Sequence, residues 1–259
     1  DRLIACVSGR HGPFCAVPSD DFFPRRHMAQ STTKSPLQSL LEGPIDRDSI
    51  GDLVEEIYRS FRSVDQTHDQ VKELYQQLEA ASGAEEQELR EKIGILHYAL
   101  GEYADALDEL QRVRDRKEAA HFLGRTYMEL RRMDKAQAAL EEGRLGEKDF
   151  ETDVLLVDIH CFQRAPEPAR EIVESYQDQY EGDPRWHYAM GRVLETEGQY
   201  GRAMEHYEQA IELEPENRKA LFRLALNCDM NGEDERAVKL YKRCASFQPT
   251  FLGALINLG

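Results

Sequence analysis

The side chains able to do chemistry in this sequence are mostly carboxylates, 49 Asp and Glu against 33 Lys and Arg, and what matters is whether any stands where catalysis would use it. Runs such as Glu85, Glu86, Glu88 and Glu91 have the density of a solvated helix face, so no acid or base role attaches to them. The phosphate-cradling patterns G-x-x-x-x-G-K-[ST] and G-x-G-x-x-G, the zinc pattern H-E-x-x-H and the nucleophile turn G-x-S-x-G do not occur. His160 and Cys161 are metal-ligand types, yet neighbours on a helix point about 100° apart and cannot share an ion without partners from elsewhere. They read as a core histidine beside a core cysteine. The sequence predicts no catalytic residue, no metal, no cofactor and no enzyme activity.

Recognition chemistry is better represented. Residues at i, i+3 and i+7 share a helix face, so Arg185, Tyr188 and Arg192 form one stripe and Lys219, Phe222 and Leu226 a second, with His121 and Arg125 as extensions. Cationic and aromatic groups gathered in a chain of net charge -16 suit an extended or helical peptide bearing acidic and apolar side chains. The same positions also fit ordinary solvated or packing residues.

The elements that carry these stripes repeat. Gly191, Ala203, Tyr207 and Pro215 are echoed 34 residues later by Ala225, Ala237, Tyr241 and Pro249. A small residue at a fixed place in each of two paired helices lets their backbones approach closely. Filling the pattern W-x2-L-G-x2-Y…A-x3-F…P gives His187, Met190, Gly191, Leu194, Ala203, Tyr207 and Pro215, then Leu221, Leu224, Ala225, Cys228, Ala237, Tyr241 and Pro249. Earlier, less regular copies are Ile93, Gly94, His97, Ala106 and Leu110; Leu123, Gly124, Tyr127, Ala136 and Leu140; and Leu156, Val157, His160, Ala169 and Val173. The sequence resembles the tetratricopeptide-repeat (TPR) family. That resemblance implies an all-α, right-handed α-solenoid of helix-turn-helix repeats whose first helices line a concave groove. In it, His121, Arg125, Arg185, Tyr188, Arg192, Lys219, Phe222, Arg223 and Leu226 are the expected peptide-binding residues. One subtype of the family clamps the C-terminal carboxylate of heat-shock chaperones: Lys219 and Arg223 match part of that clamp, but Asp158 and Ala189 stand where it needs asparagines, so the cradle is incomplete.

Around the array, residues 1–44 carry Gly, Pro, Ser and Thr without period and are expected to stay outside the fold. Met28 reads as a natural start, and Leu3, Ile4, Ala5 and Cys6 have the residue types of a lipoprotein cleavage site without the apolar segment that should precede it. Residues 45–83 are expected to form an N-terminal helical pair that caps the array. Its first helix would carry Ile50, Leu53, Val54, Ile57, Phe61 and Val64 after Asp48 and Ser49, and its second would start at Thr67 with Gln70 as a capping box and end at Ser82 and Gly83. The array then occupies residues 84–259. Pro166 and Pro168 are tolerable at the start of a second helix, Asp183 before Pro184 and Asn217 are cap signals, and Leu255, Leu258 and Gly259 begin a further repeat that reads as the edge of a fragment.

Composition narrows the partners. A net charge of -16 disfavours general affinity for nucleic acid, and no stretch approaches the roughly 20 apolar residues of a membrane-spanning helix. Five cysteines without a C-x-x-C pair fit a reducing, cytoplasmic setting. The sequence-based expectation is a protein-interaction adaptor binding a protein or peptide in its groove, with self-association through the open C-terminal repeat as a further possibility. The alternative is the docking or regulatory arm of an enzyme or transcription-linked protein whose other domain lies beyond residue 259.

Overall fold

Capping side chains fix where several helices begin. Ser60, Asp149, Asp183 and Asn217 each turn a side-chain oxygen onto a free backbone amide of the first turn, at 3.1, 3.2, 2.8 and 2.9 Å. The computed structural model describes residues 34–43, 47, 49–144, 146–247 and 257. Among them it holds fourteen helices and no strand: α1 (Pro36–Glu42), α2 (Ile50–Ile57), α3 (Phe61–Leu78), α4 (Ala84–Ala99), α5 (Tyr103–Arg112), α6 (Lys117–Glu129), α7 (Met133–Arg144), α8 (Phe150–Phe162), α9 (Pro166–Glu174), α10 (Gln177–Tyr180), α11 (Pro184–Thr196), α12 (Tyr200–Leu213), α13 (Arg218–Met230) and α14 (Asp234–Ala245).

Five helix pairs follow one another: α4 with α5, α6 with α7, α8 with α9, α11 with α12 and α13 with α14. The turn inside each pair has one residue with positive φ, successively Gly101, Arg131, Arg164, Gly198 and Gly232. At Gly198 and Gly232, both at 79°, the absence of a Cβ removes the left-handed penalty. Arg131 and Arg164 adopt the same turn at 58° against that penalty. First helices lie beside first helices, α4 on α6, α6 on α8 and α8 on α11, while each second helix packs behind its own first helix and leads into the next. The result is a right-handed α-solenoid with an inner face made by α4, α6, α8, α11 and α13.

Within each pair the small-residue slot is filled by close approach. Gly94, Gly124 and Gly191 lie against Leu110, Leu140 and Tyr207, so close that an added Cβ would stand 2.6, 2.4 and 2.6 Å from them. In the third pair Val157 takes the glycine's place and the residue opposite is the smaller Val173; both are buried. Volume lost on one helix accommodates volume gained on the other.

Helix α8 divides the core. Leu155, Leu156 and Ile159 belong to an apolar cluster running back to Leu40, while Phe150, Val157 and Cys161 belong to one running on to Cys244. A helix apolar on both sides is sandwiched, which accounts for the apolar run at residues 154–157.

The N-terminal part departs from its expected boundaries. The chain breaks at residues 58–60 rather than before Thr67, because Ser60 takes an extended backbone (φ -156°) and caps α3. Phe61, expected in the core, is 64% exposed, and Thr67, expected to cap a helix, is buried inside α3 with its hydroxyl donating to the Ser63 carbonyl at 2.9 Å. Residues 36–42, expected outside the fold, form α1 with a Ser35–Gln38 capping box and bury Leu40. The expectations resting on Cys6, Met28, Asp48, Pro249, Leu255, Leu258 and Gly259 lie outside the described residues.

Candidate functional site

The inner face is built from corresponding slots of successive first helices, and opposite charges face each other in those slots between α8 and α11. Asp158 of α8 and Arg192 of α11 are the same slot one repeat apart, as are Glu151 and Arg185. Arg192 Nε donates to Asp158 at 2.9 Å and Arg185 Nη1 to Glu151 at 2.8 Å. Tyr188 donates its hydroxyl to the same Asp158 at 2.9 Å, and the Lys219 ammonium stands 3.6 Å from it. Burial works against the Asp158 carboxylate, but Lys219, Arg192, Arg223 and the Tyr188 hydroxyl hold its pKa below the usual carboxylate range. Burial, followed by the neighbouring Asp158 charge, pushes Tyr188 far up, so it stays a hydrogen-bond donor.

The nine groove residues expected from sequence fall into three groups. Tyr188 and Arg192 are buried, at 6% exposure each, and serve Asp158. Lys219 is exposed, its ammonium 5.6 Å above the Tyr188 ring; Phe222 and Leu226 are half-buried beside it on α13, and Arg223 donates to Glu195 at 3.2 Å. Arg185 pairs with Glu151 and its own cap Asp183, while Arg125 donates to the Tyr98 hydroxyl at 3.1 Å and lies over that ring. His121 is buried, with Nδ1 3.0 Å from Thr152 Oγ1; burial first, then Arg47 and Arg125, depress its pKa well below the ordinary histidine value. The array therefore brings Tyr188, Arg192 and Lys219 together, and sets His121 and Arg185 apart at the edge formed by the starts of α6, α8 and α11.

That edge holds a residue the sequence did not flag. The Arg47 guanidinium, just before α2, makes a two-pronged pair with Glu118 through Nε and Nη2 (2.6 and 3.0 Å), and its Nη1 is shared between the two Asp149 oxygens (3.0 and 2.9 Å). It also reaches Thr152 Oγ1 at 3.3 Å and lies 3.7 Å from Glu151. The Arg47 side chain is 9% exposed. Burial alone would raise Asp149, yet Lys117, the Thr152 amide and Arg47 hold it far below the carboxylate range. No local pattern points to Arg47, because its partners lie 71 and 102 residues away. The signal that sequence did offer, and that a slot-by-slot comparison of charge would have read, is the pairing of Glu151 with Arg185 and Asp158 with Arg192 across one repeat.

Among the described residues one group has metal-ligand geometry: His97, Glu102 and Asp105 bring their donor atoms within 4.8 Å. Both His97 nitrogens are already engaged, Nδ1 with Glu102 at 2.7 Å and Nε2 with the Tyr75 hydroxyl at 3.2 Å, and the other Glu102 oxygen meets His68 at 2.9 Å. The cluster is a hydrogen-bond network joining α3 to the first repeat. Among the described residues no helix is long and apolar enough to cross a membrane.

Paired helices stacked so that their first members form one polar and aromatic inner face define an α-solenoid. Models described as tetratricopeptide repeat match residues 117–143 and 184–227, so the sequence of α6–α7 and of α11 to most of α13 is similar to that repeat. It is 29% identical over 85 residues to the photosystem I assembly protein Ycf3 of Prochlorococcus marinus (strain NATL2A), an alignment covering 32% of this chain and 49% of that one. It is 35% identical over 81 residues to the probable biofilm formation methyltransferase WspC of Pseudomonas putida, covering 31% of this chain and 19% of that protein. The chain thus spans about half of the first relative and about a fifth of the second. Among solved structures, TTC0263, a thermophilic TPR protein of Thermus thermophilus, superposes with a TM-score of 0.57 at 19% identity over 66% of this chain and 96% of that one. The Cut9–Hcn1 hetero-tetramer of the APC/C superposes at 0.61 and 11% identity over 86% of this chain and 44% of that one. At these identities the superpositions establish the fold.

Proposed function

We propose that the protein holds a protein or peptide partner along its concave face, with Lys219, Phe222 and Leu226 of α13 as contact residues. The observation that carries this reading is the unequal use of two adjacent stripes. Tyr188 and Arg192 are spent on Asp158 inside the molecule, whereas Lys219, on the neighbouring helix, is exposed beside half-buried aromatic and aliphatic groups. A lysine over an aromatic ring next to Leu226 matches a segment that presents acidic and apolar side chains. The resemblance to Ycf3, an assembly protein, supports a scaffold role, and the buried free thiols of Cys161, Cys228 and Cys244 support a reducing, cytoplasmic setting.

The test is a displayed peptide library selected against the chain, followed by fluorescence anisotropy on the winners. Selected sequences should be acidic and apolar, and Lys219→Glu with Leu226→Asp should weaken them about tenfold or more while circular dichroism is unchanged. Equal affinity for the double variant would overturn the α13 assignment. A second reading, the docking arm of a larger enzyme, is favoured by the match to WspC, in which the similar segment is 19% of a protein named as a methyltransferase. Sequencing the gene on both sides of this segment separates the two.

A further inference from the structure

The inner face already has an occupant. If α1, Arg47 and α2 only covered the end of the solenoid, they would touch the first repeat alone. They instead reach four repeats. Lys92 of α4 donates to the Leu41 carbonyl at 2.9 Å, Arg47 holds Glu118 of α6 and Asp149 and Thr152 at the start of α8, and Glu55 of α2 pairs with Arg218 at the start of α13. Ile50, Leu53 and Ile57, one apolar stripe of α2, are at most 5% exposed. Ile95, in the inner-face slot of α4, is fully buried, whereas Leu226 in the same slot of α13 is only half-buried. The inner-face slot of the first repeat is covered and that of the fifth is half open.

The covering segment also has the chemistry of a bound ligand. An arginine enters a pocket of three carboxylates and a hydroxyl, an apolar helical stripe follows three residues later, and an acidic side chain meets the basic start of α13. This is the helix-in-groove mode, read through anchors at helical spacing, with the guanidinium giving direction and register. The coverage is short. α2 has eight residues, and a helix of that length is marginal in water without its surroundings, so its residence depends on the groove.

We propose that α1, Arg47 and α2 are an intramolecular occupant that gates the concave face, and that the protein partner enters by presenting the same pattern, an arginine followed by an amphipathic helix with an acidic residue near its end. The inference rests on the scaffold reading above and adds to the α13 surface a second recognition surface at the starts of α6, α8 and α13. The partner's arginine replaces Arg47 between Glu118 and Asp149, its apolar stripe replaces Ile50, Leu53 and Ile57, and its acidic residue replaces Glu55 at Arg218.

The test uses the full chain and a labelled peptide of residues 34–59. The chain is opened by Arg47→Glu with Leu53→Asp. The peptide should bind the opened chain about thirtyfold or more tightly than the wild-type chain, and the peptide carrying Arg47→Ala should lose a similar factor. No binding to a folded opened chain, or full binding by the Arg47→Ala peptide, overturns the proposal. Should the opened chain fail to fold, hydrogen exchange on the wild-type chain decides: α1 and α2 exchanging well before α4 and α6 support a gate, and equal protection overturns it. If library-selected peptides still depend on Lys219 while the segment peptide does not bind, the gate falls and the scaffold stands. Segment binding without Lys219-dependent capture has the opposite meaning.

Discussion

Asp158 and Arg192 stand 34 residues apart in the chain, one repeat period, and their side chains meet at 2.9 Å in the same slot of successive helices. Both are nearly buried, with side-chain exposures of 11% and 7%. Desolvating such a pair is costly, and removing one member leaves the other charge without compensation. Asp158→Ala should therefore cost about 3–5 kcal/mol in urea unfolding, and Asp158→Ala with Arg192→Ala less than the sum of the single changes. Strict additivity would show that the pair is not coupled.

Close approach at the small-residue slot makes a paired prediction. In Gly191→Ala the new methyl meets the Tyr207 ring at 2.6 Å, an overpacking that should cost about 1–3 kcal/mol. Gly201, near the start of α12, has nothing within 4 Å of an added methyl, so Gly201→Ala should stabilise by about 0.5 kcal/mol through reduced freedom of the unfolded chain. Thermal unfolding of the two variants should move in opposite directions.

Arg164 occupies the turn slot that glycine fills in three of the five pairs, with φ at 58° and its side chain exposed. Arg164→Gly relieves the left-handed penalty, partly offset by the greater freedom of glycine when unfolded, and should raise stability by about 0.5–1 kcal/mol. A lower melting temperature would mean that the arginine makes contacts worth more than the strain.

Acid should destabilise the chain through buried and half-buried histidines before its carboxylates titrate. The His206 pKa is pushed down to about 4, chiefly by burial and then by His187 and Arg202, and burial also lowers His187, whose nearby charges are Glu181 and Asp183. The two rings lie 3.1 Å apart between Nδ1 atoms, and Trp186 packs against both. The unfolded chain takes up these protons near pH 6.5 and the native state does not, so stability is full above about 6.5 and falls as pH drops towards 4, by at most about 1.4 kcal/mol per pH unit and group. His121 adds to the same slope. Asp158 and Asp149, with depressed pKa values, contribute their losses only below the ordinary carboxylate range. Urea midpoints at pH 7 and 5 should differ less in His206→Gln than in the wild-type chain.

The repeat architecture was legible because it is local. Glycines and alanines recur at fixed offsets where helices touch, Asp183 and Asn217 announce helix starts through their own first turns, and a capping bond needs only a neighbour three residues away or fewer. Those features fixed five helix pairs and the stripes on α11 and α13 without reference to anything distant. Which members of the stripes are open was decided elsewhere. Tyr188 and Arg192 are withdrawn because α8 places Asp158 beneath them, while Lys219 keeps its exposure because it stands one helix further along. Arg47 carries no periodic signature at all, and its pocket exists only where the starts of α6 and α8 converge, 71 and 102 residues downstream. The amino-acid sequence by itself determined the repeating unit, through short-range sterics and capping, and tertiary structure alone decided which inner-face charges are already paired and which segment covers them, because those pairings join residues whose separation in the chain no local rule constrains.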